Sequence, residues 1–140
     1  MLGEPVLVDT GALIALYNAS DPRHRECSAL VKTLPVGKAY TCWPVVVEAS
    51  YLLRAFPRER VRLFDAIAAD EFVLLPLGRG DLPAIHAIMD KYDDQEIDLA
   101  DAALVHLANR EGIGSVFTLD ARHFHVLRNA AGLPFRVLPE

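Results

Sequence analysis

Four acidic side chains lie in four separated segments, each in an apolar setting: Asp9, Glu48, Asp101 and Asp120. Asp9 ends the run Pro5-Val6-Leu7-Val8, and Glu48 follows Val45-Val46-Val47. Asp101 lies inside Ile97-Asp98-Leu99-Ala100-Asp101-Ala102-Ala103-Leu104, and Asp120 ends Val116-Phe117-Thr118-Leu119. Carboxylates are seldom buried unless paired or bound to a metal. If these four converge, they need protons or a divalent cation to coexist. Two carboxylates ~4 Å apart repel by about 4 kcal/mol at an effective dielectric near 20. Mg2+ takes oxygen ligands and keeps several waters, so substrate phosphate can complete its shell. A bound ion of this kind lowers the pKa of a water and stabilises charge developing at phosphorus. The chemistry indicated is metal-dependent phosphodiester hydrolysis, with no cysteine or histidine nucleophile required.

The elements that would hold these acids alternate between strand-like and helix-like segments. Strands are expected at 5–9, 38–42, 72–75 and 115–119, with a last edge strand at 135–138. Helices are expected from Ala12 to Tyr17, from Asp21-Pro22 as N-cap and first position, and from Pro44 until Pro57 ends it. Further helices are expected from about Arg58 to Ala69, from Asp81 to about Tyr92, and from Asp98 to Glu111, where Gly112 stops the helix; a short turn covers Ala121 to His125. Alternation of this kind predicts an α/β fold, a three-layer arrangement with a mostly parallel sheet of four to five strands flanked by helices. Sites in such sheets form at the carboxyl ends of strands. Asp9 and Asp120 would both end strands, and Glu48 would sit one turn into the helix after the second. Asp98 and Asp101, three apart in the first turn of a helix, share a face.

Composition sets the remaining bounds. The 140 residues suit one domain spanning 1–140, long enough to bury roughly two-thirds of its unfolded surface. Apolar runs fall well short of the ~20 residues of a membrane span, and without a basic stretch before a long apolar one no signal peptide is expected. Cys27 and Cys42 show no metal or redox spacing, so a reduced, cytoplasmic protein is expected. The net charge of −5 argues against a nucleic-acid partner unless bound cations offset the acids. Positive charge is uneven, with Arg54, Arg58, Arg60 and Arg62 in one stretch and Arg122 and Arg128 after Asp120. A basic rim around an acidic centre suits a phosphodiester, and Arg54 and Arg122 are the candidate substrate contacts; a solvated helix face is the plainer reading for Arg58 to Arg62. His123 and His125 are expected at the surface or against substrate, since no third nitrogen or sulfur ligand is near in sequence. Asp21 reads as an N-cap, His24 and His86 as exposed helix residues, and Trp43 as core or dimer contact. The segment Asp93-Asp94-Gln95-Glu96 reads as a solvated loop.

The chain resembles a PIN-domain ribonuclease, and in particular a VapC-type toxin of a type II toxin–antitoxin pair. The matching segments are Val8-Asp9-Thr10-Gly11-Ala12-Leu13-Ile14-Ala15, Val47-Glu48, Asp98-Leu99-Ala100-Asp101-Ala102-Ala103-Leu104 and Phe117-Thr118-Leu119-Asp120, in family order and over nearly the whole chain. Each is short, and the ordered set is what is specific. The resemblance implies that Asp9, Glu48, Asp101 and Asp120 are the catalytic acids, with Asp9, Asp101 and Asp120 on the metal and Glu48 and Asp98 as further candidates. Thr10, Thr118 and Asp98 would support them from behind, Asp98 as a ligand or water-orienter. Related sequences often carry an acid shortly after the fourth aspartate; here that place is His123. The implied cofactor is Mg2+ or Mn2+, the substrate RNA, and the partners a second copy and a small DNA-binding antitoxin, with apolar helix faces between Pro44 and Ala69 as the docking surfaces. The competing readings are a non-catalytic PIN-like RNA- or protein-binding module and a housekeeping RNA-processing nuclease. A haloacid-dehalogenase-type phosphatase needs a second acid two positions after Asp9, where this chain has Gly11. Flap-type DNA nucleases carry more acids and larger insertions.

Overall fold

The computed structural model describes residues 3–140. Its centre is a five-stranded sheet, all parallel, in the order β3-β2-β1-β4-β5. The strands are β1 (Val6–Val8), β2 (Ala39–Thr41), β3 (Val73–Leu74), β4 (Ser115–Phe117) and β5 (Arg136–Leu138). Seven α-helices flank it among the described residues: α1 (Thr10–Tyr17), α2 (His24–Val31), α3 (Trp43–Leu52), α4 (Pro57–Ala68), α5 (Leu82–Lys91), α6 (Leu99–Glu111) and α7 (Ala121–Val126). Parallel strands need long crossovers, and helices supply them. The two central strands are buried at every position, which is why they read as unbroken apolar runs and not as alternating ones.

The chain runs outward from β1 through β2 to β3, then returns to add β4 on the other side of β1. This reversal makes a topological switch point between β1 and β4, the place where open α/β sheets form their sites. Right-handed crossovers before and after such a reversal fall on opposite faces of the sheet. The packing follows this rule, with α2, α3 and α4 gathered on α1, and α5 on α6. Helix α6 is the most enclosed, with Ala100, Ala102, Ala103, Leu104, Val105, Leu107 and Ala108 all buried. Four of these are alanines, which let neighbouring elements pack closely, and Gly112 ends the helix at φ 70°, the left-handed C-cap that glycine tolerates best.

Several boundaries differ from expectation for identifiable reasons. Helix α2 begins at His24, because Asp21 Oδ1 accepts the Arg23 amide at 2.8 Å and spends Asp21-Pro22 on a turn before the helix. Pro57 opens α4 instead of closing α3, which has already ended at Leu52. On α4, Leu63 and Ala66 face the core, while Val61 and Phe64 point outward. Trp43 is 57% exposed, so the core reading of it is wrong. His24 is half-buried with Nδ1 2.7 Å from the Ala15 carbonyl, not an exposed helix residue. No helix among the described residues is long and apolar enough to cross a membrane.

Candidate active site

The carboxyl ends of β1 and β4 open into a cleft of about 650 Å³. Asp9, Glu48, Asp98, Asp101 and Asp120 all line it, together with Thr10, Gly11, Glu96, Arg122 and His123. Four segments far apart in the chain therefore meet there. The convergence expected of the four acids is present, and Asp98 joins them.

Each acid is held by local structure. Asp9 is the N-cap of α1 and is 6% exposed. Its Oδ1 accepts the Thr10 amide at 2.8 Å, and its Oδ2 accepts the Thr118 hydroxyl at 2.8 Å. Thr118 also accepts the Asp120 amide at 3.0 Å, so one buried hydroxyl ties the end of β4 to the end of β1. Asp98 and Asp101 close a reciprocal cap on α6: Asp101 N donates to Asp98 Oδ1 at 2.9 Å, and Asp98 N donates to Asp101 Oδ2 at 3.3 Å. Glu48 rides the second turn of α3, half-buried. The Thr10 hydroxyl lies beside it, close enough to hold its carboxyl down in part, yet buried without a partner of good hydrogen-bonding geometry.

The electrostatics are those of too many like charges. Burial pushes the Asp101 carboxyl up to about 8, with Asp9 and Asp98 adding repulsion. Asp9 is raised as well, first by burial and then by Asp98 and Asp120, against the lowering effect of its two hydrogen bonds. Glu48 is raised by burial and by Asp98 and Asp9. A carboxyl that holds its proton near neutrality adds little to stability as a charge, and such strongly shifted groups cluster at functional sites.

Arg54, His123 and Glu96 are placed differently from, or more narrowly than, expectation. Arg54 does not line the cleft; its guanidinium donates to the Tyr51 carbonyl at 2.9 Å and stacks 4.1 Å above the Tyr51 ring. Arg122 does line it, exposed on the rim. His123, expected at the surface or against substrate, lines the cleft and reaches into the acids: Nδ1 is buried, 3.0 Å from Asp120 Oδ2 and 3.5 Å from Asp101 Oδ2. His125, expected beside it, stays exposed on the same helix and does not line the cleft. Glu96, counted with a solvated loop, also reaches the cleft from the residue following the 3-10 turn Asp93–Gln95. The spacing of His123 three residues after Asp120, one helical turn, was the signal available for it.

A divalent ion fits the donor set. The carboxylate oxygens are hard ligands, the acids lack enough countercharge, and the Thr10 hydroxyl is an unsatisfied buried polar atom beside them. Among the described residues, no three His, Cys, Asp or Glu side chains enclose an ion as they stand. Ions such as Mg2+ do not need such a cage, because one or two carboxylates and several waters suffice.

Comparison with known proteins places this architecture in a class. The PIN domain pattern matches residues 6–129. Ribonuclease VapC26 of Mycobacterium tuberculosis (strain ATCC 25618 / H37Rv) is 32% identical over 136 residues, covering 96% of this chain and 100% of that protein. The chain belongs to the PIN-domain family, on the VapC side of it. Solved structures agree on the fold. VapC20 of Mycobacterium tuberculosis, a sarcin-ricin-loop-cleaving toxin, superposes with a TM-score of 0.76 at 22% identity, over 83% of this chain and 90% of that one. A toxin–antitoxin complex from Klebsiella pneumoniae gives 0.68 at 17% identity, over 87% and 92%.

Proposed function

We propose that this chain is a metal-dependent endoribonuclease, the toxin of a VapBC-type toxin–antitoxin pair. The observation that carries this reading is the meeting of Asp9, Glu48, Asp98, Asp101 and Asp120 in one cleft at the switch point of the sheet. The kinship with Ribonuclease VapC26 supports RNA as the substrate class. Asp9, Asp101 and Asp120 are the residues that would hold Mg2+ or Mn2+, with Glu48 and Asp98 beside them. Such an ion, when bound, would activate a water and offset charge developing on the phosphate. Thr118 keeps Asp9 and Asp120 in register, and the Asp98–Asp101 cap fixes the start of α6. Arg122 on the rim suits the flanking phosphates of an RNA strand, which draw on just such cationic contacts.

Partners follow the same logic. Toxin–antitoxin complexes among the structural relatives support an antitoxin partner. The exposed apolar side chains Trp43, Val47, Tyr51, Leu52, Val61 and Phe64 on α3 and α4 offer a face for an antitoxin or a second copy.

The test is incubation of purified protein with total RNA, with and without Mg2+ or Mn2+, beside Asp9→Asn and Asp101→Asn. Cleavage should require the ion and fall by about a hundredfold or more in either variant. Cleavage that survives EDTA, or that both variants retain, would overturn the reading.

A further inference from the structure

His123 has a position that packing alone does not explain. It stands in the first turn of α7 on the wall of the acid cleft. Its Nδ1 is shielded from solvent and lies 3.0 Å from Asp120 Oδ2 and 3.5 Å from Asp101 Oδ2. Neither approach has the alignment of a hydrogen bond. A buried ring nitrogen without a partner is unfavourable, and here its nearest polar neighbours are acceptor oxygens.

The separations themselves are informative. Adjacent donors around one octahedral ion, with bonds of about 2.1 Å, stand about 3 Å apart. His123 Nδ1 is at that spacing from Asp120 Oδ2 and slightly beyond it from Asp101 Oδ2. The three side chains do not yet enclose an ion.

We propose that His123 is a nitrogen ligand of the cleft's divalent ion, beside Asp120 and Asp101, and that it biases the site toward first-row transition-metal dications over Mg2+. An imidazole nitrogen suits transition ions, whereas Mg2+ favours all-oxygen shells. The proposal rests on the metal-dependent reading of the cleft and adds the choice of ion. Asp120 and His123 lie one helical turn apart, so a single short helix presents one oxygen and one nitrogen to the same point. His125 on the same helix is exposed and away from the cleft, which makes it the natural control.

The experiment is Mn2+ and Mg2+ titration by calorimetry of the wild type, His123→Asp, His123→Gln and His125→Gln, with pulsed electron paramagnetic resonance of each Mn2+-loaded protein. The wild type should bind Mn2+ more tightly than Mg2+ and show the 14N coupling of a directly bound imidazole. His123→Asp and His123→Gln should lose that coupling, and the Mn2+/Mg2+ affinity ratio should drop about tenfold or more. His125→Gln should behave as wild type. Wild-type protein that loads Mn2+ without 14N coupling overturns the proposal whatever the variants do. So does a ratio unchanged in both His123 variants. RNA cleavage that needs an ion but shows no such coupling would leave the functional reading standing and remove only the role of His123. Wild-type protein that binds neither ion would overturn both.

Discussion

Two groups of charged side chains touch helix α6, and they are opposites. At its N-terminus, Asp98 and Asp101 crowd against Asp9, Glu48 and Asp120. Farther along, His106 and Arg110 meet Asp81 from the start of α5, at 2.8 Å and 3.3 Å. The Asp81 carboxyl is held down to about 2, first by the Gly78 amide and then by His106 and Arg110. The Asp101 carboxyl is pushed up to about 8. Both acids have hydrogen bonds from backbone amides, so amides are not what separates them. Asp81 has a cation, Arg110, and the His106 ring supplied by the chain, and Asp101 has further acids. The first cluster is complete within the protein; the second asks for a positive ligand.

The largest effect expected from this difference is on ion-dependent stability. An ion at one hundred times its Kd would add ~2.7 kcal/mol to the folded state. For a chain of this size that corresponds to roughly 10 °C in Tm. Thermal melts with and without Mn2+ should show this rise in wild type and largely lose it in Asp9→Asn combined with Asp101→Asn. An equal rise in that double variant would break the comparison, because the cleft would then not be where the ion acts.

A pH effect comes next. Metal-free, Asp101 holds its proton in the folded chain up to about 8, against an ordinary value of 3.8. Between those values the folded state binds more protons than the unfolded state, so stability falls as pH rises from about 4 to about 8. Asp101→Asn should flatten this decline and melt several degrees higher than metal-free wild type at pH 8. The same variant should be inactive, so stability and activity part company at this residue. A variant that melts lower than wild type at pH 8 would contradict the repulsion.

The smallest effect belongs to the satisfied cluster, and its sign is reversed. Asp81 ionises near 2 when folded and near 3.8 ordinarily, so its contribution is present above 3.8 and is lost as pH falls through about 2. Asp81→Asn should lower Tm slightly at neutral pH, with no response to Mn2+ and no change in RNA cleavage. Loss of cleavage in Asp81→Asn would show that the two ends of the helix are coupled.

Much of the site could be read from the sequence because its acids punctuate buried strands. A carboxylate closing Val6-Leu7-Val8 or Val116-Phe117 has few structural excuses, and parallel-sheet topology then dictates where it points. Asp98 and Asp101 were legible through helical spacing, although their reciprocal cap was visible only once the α6 start at Leu99 was fixed. The side chains missed are those whose direction depends on tertiary packing. Arg54 bends back over Tyr51, and His123 turns into the cleft while His125 turns out. Nothing in a six-residue helix reveals its rotation about its own axis. The misplaced helix boundaries share another cause: Asp21-Pro22 and Pro57 carry signals that both a turn and a helix start can use.

The most direct measurement is the titration of the Asp101 side-chain carboxyl by carbon-13 nuclear magnetic resonance, metal-free and again at saturating Mg2+. Metal-free, the carboxyl should titrate near 8. With the ion bound, it should stay ionised across neutral pH, its midpoint moved down by several units. A midpoint near 4 in both samples, unmoved by the ion, would contradict the claim that these acids are gathered to hold a cation.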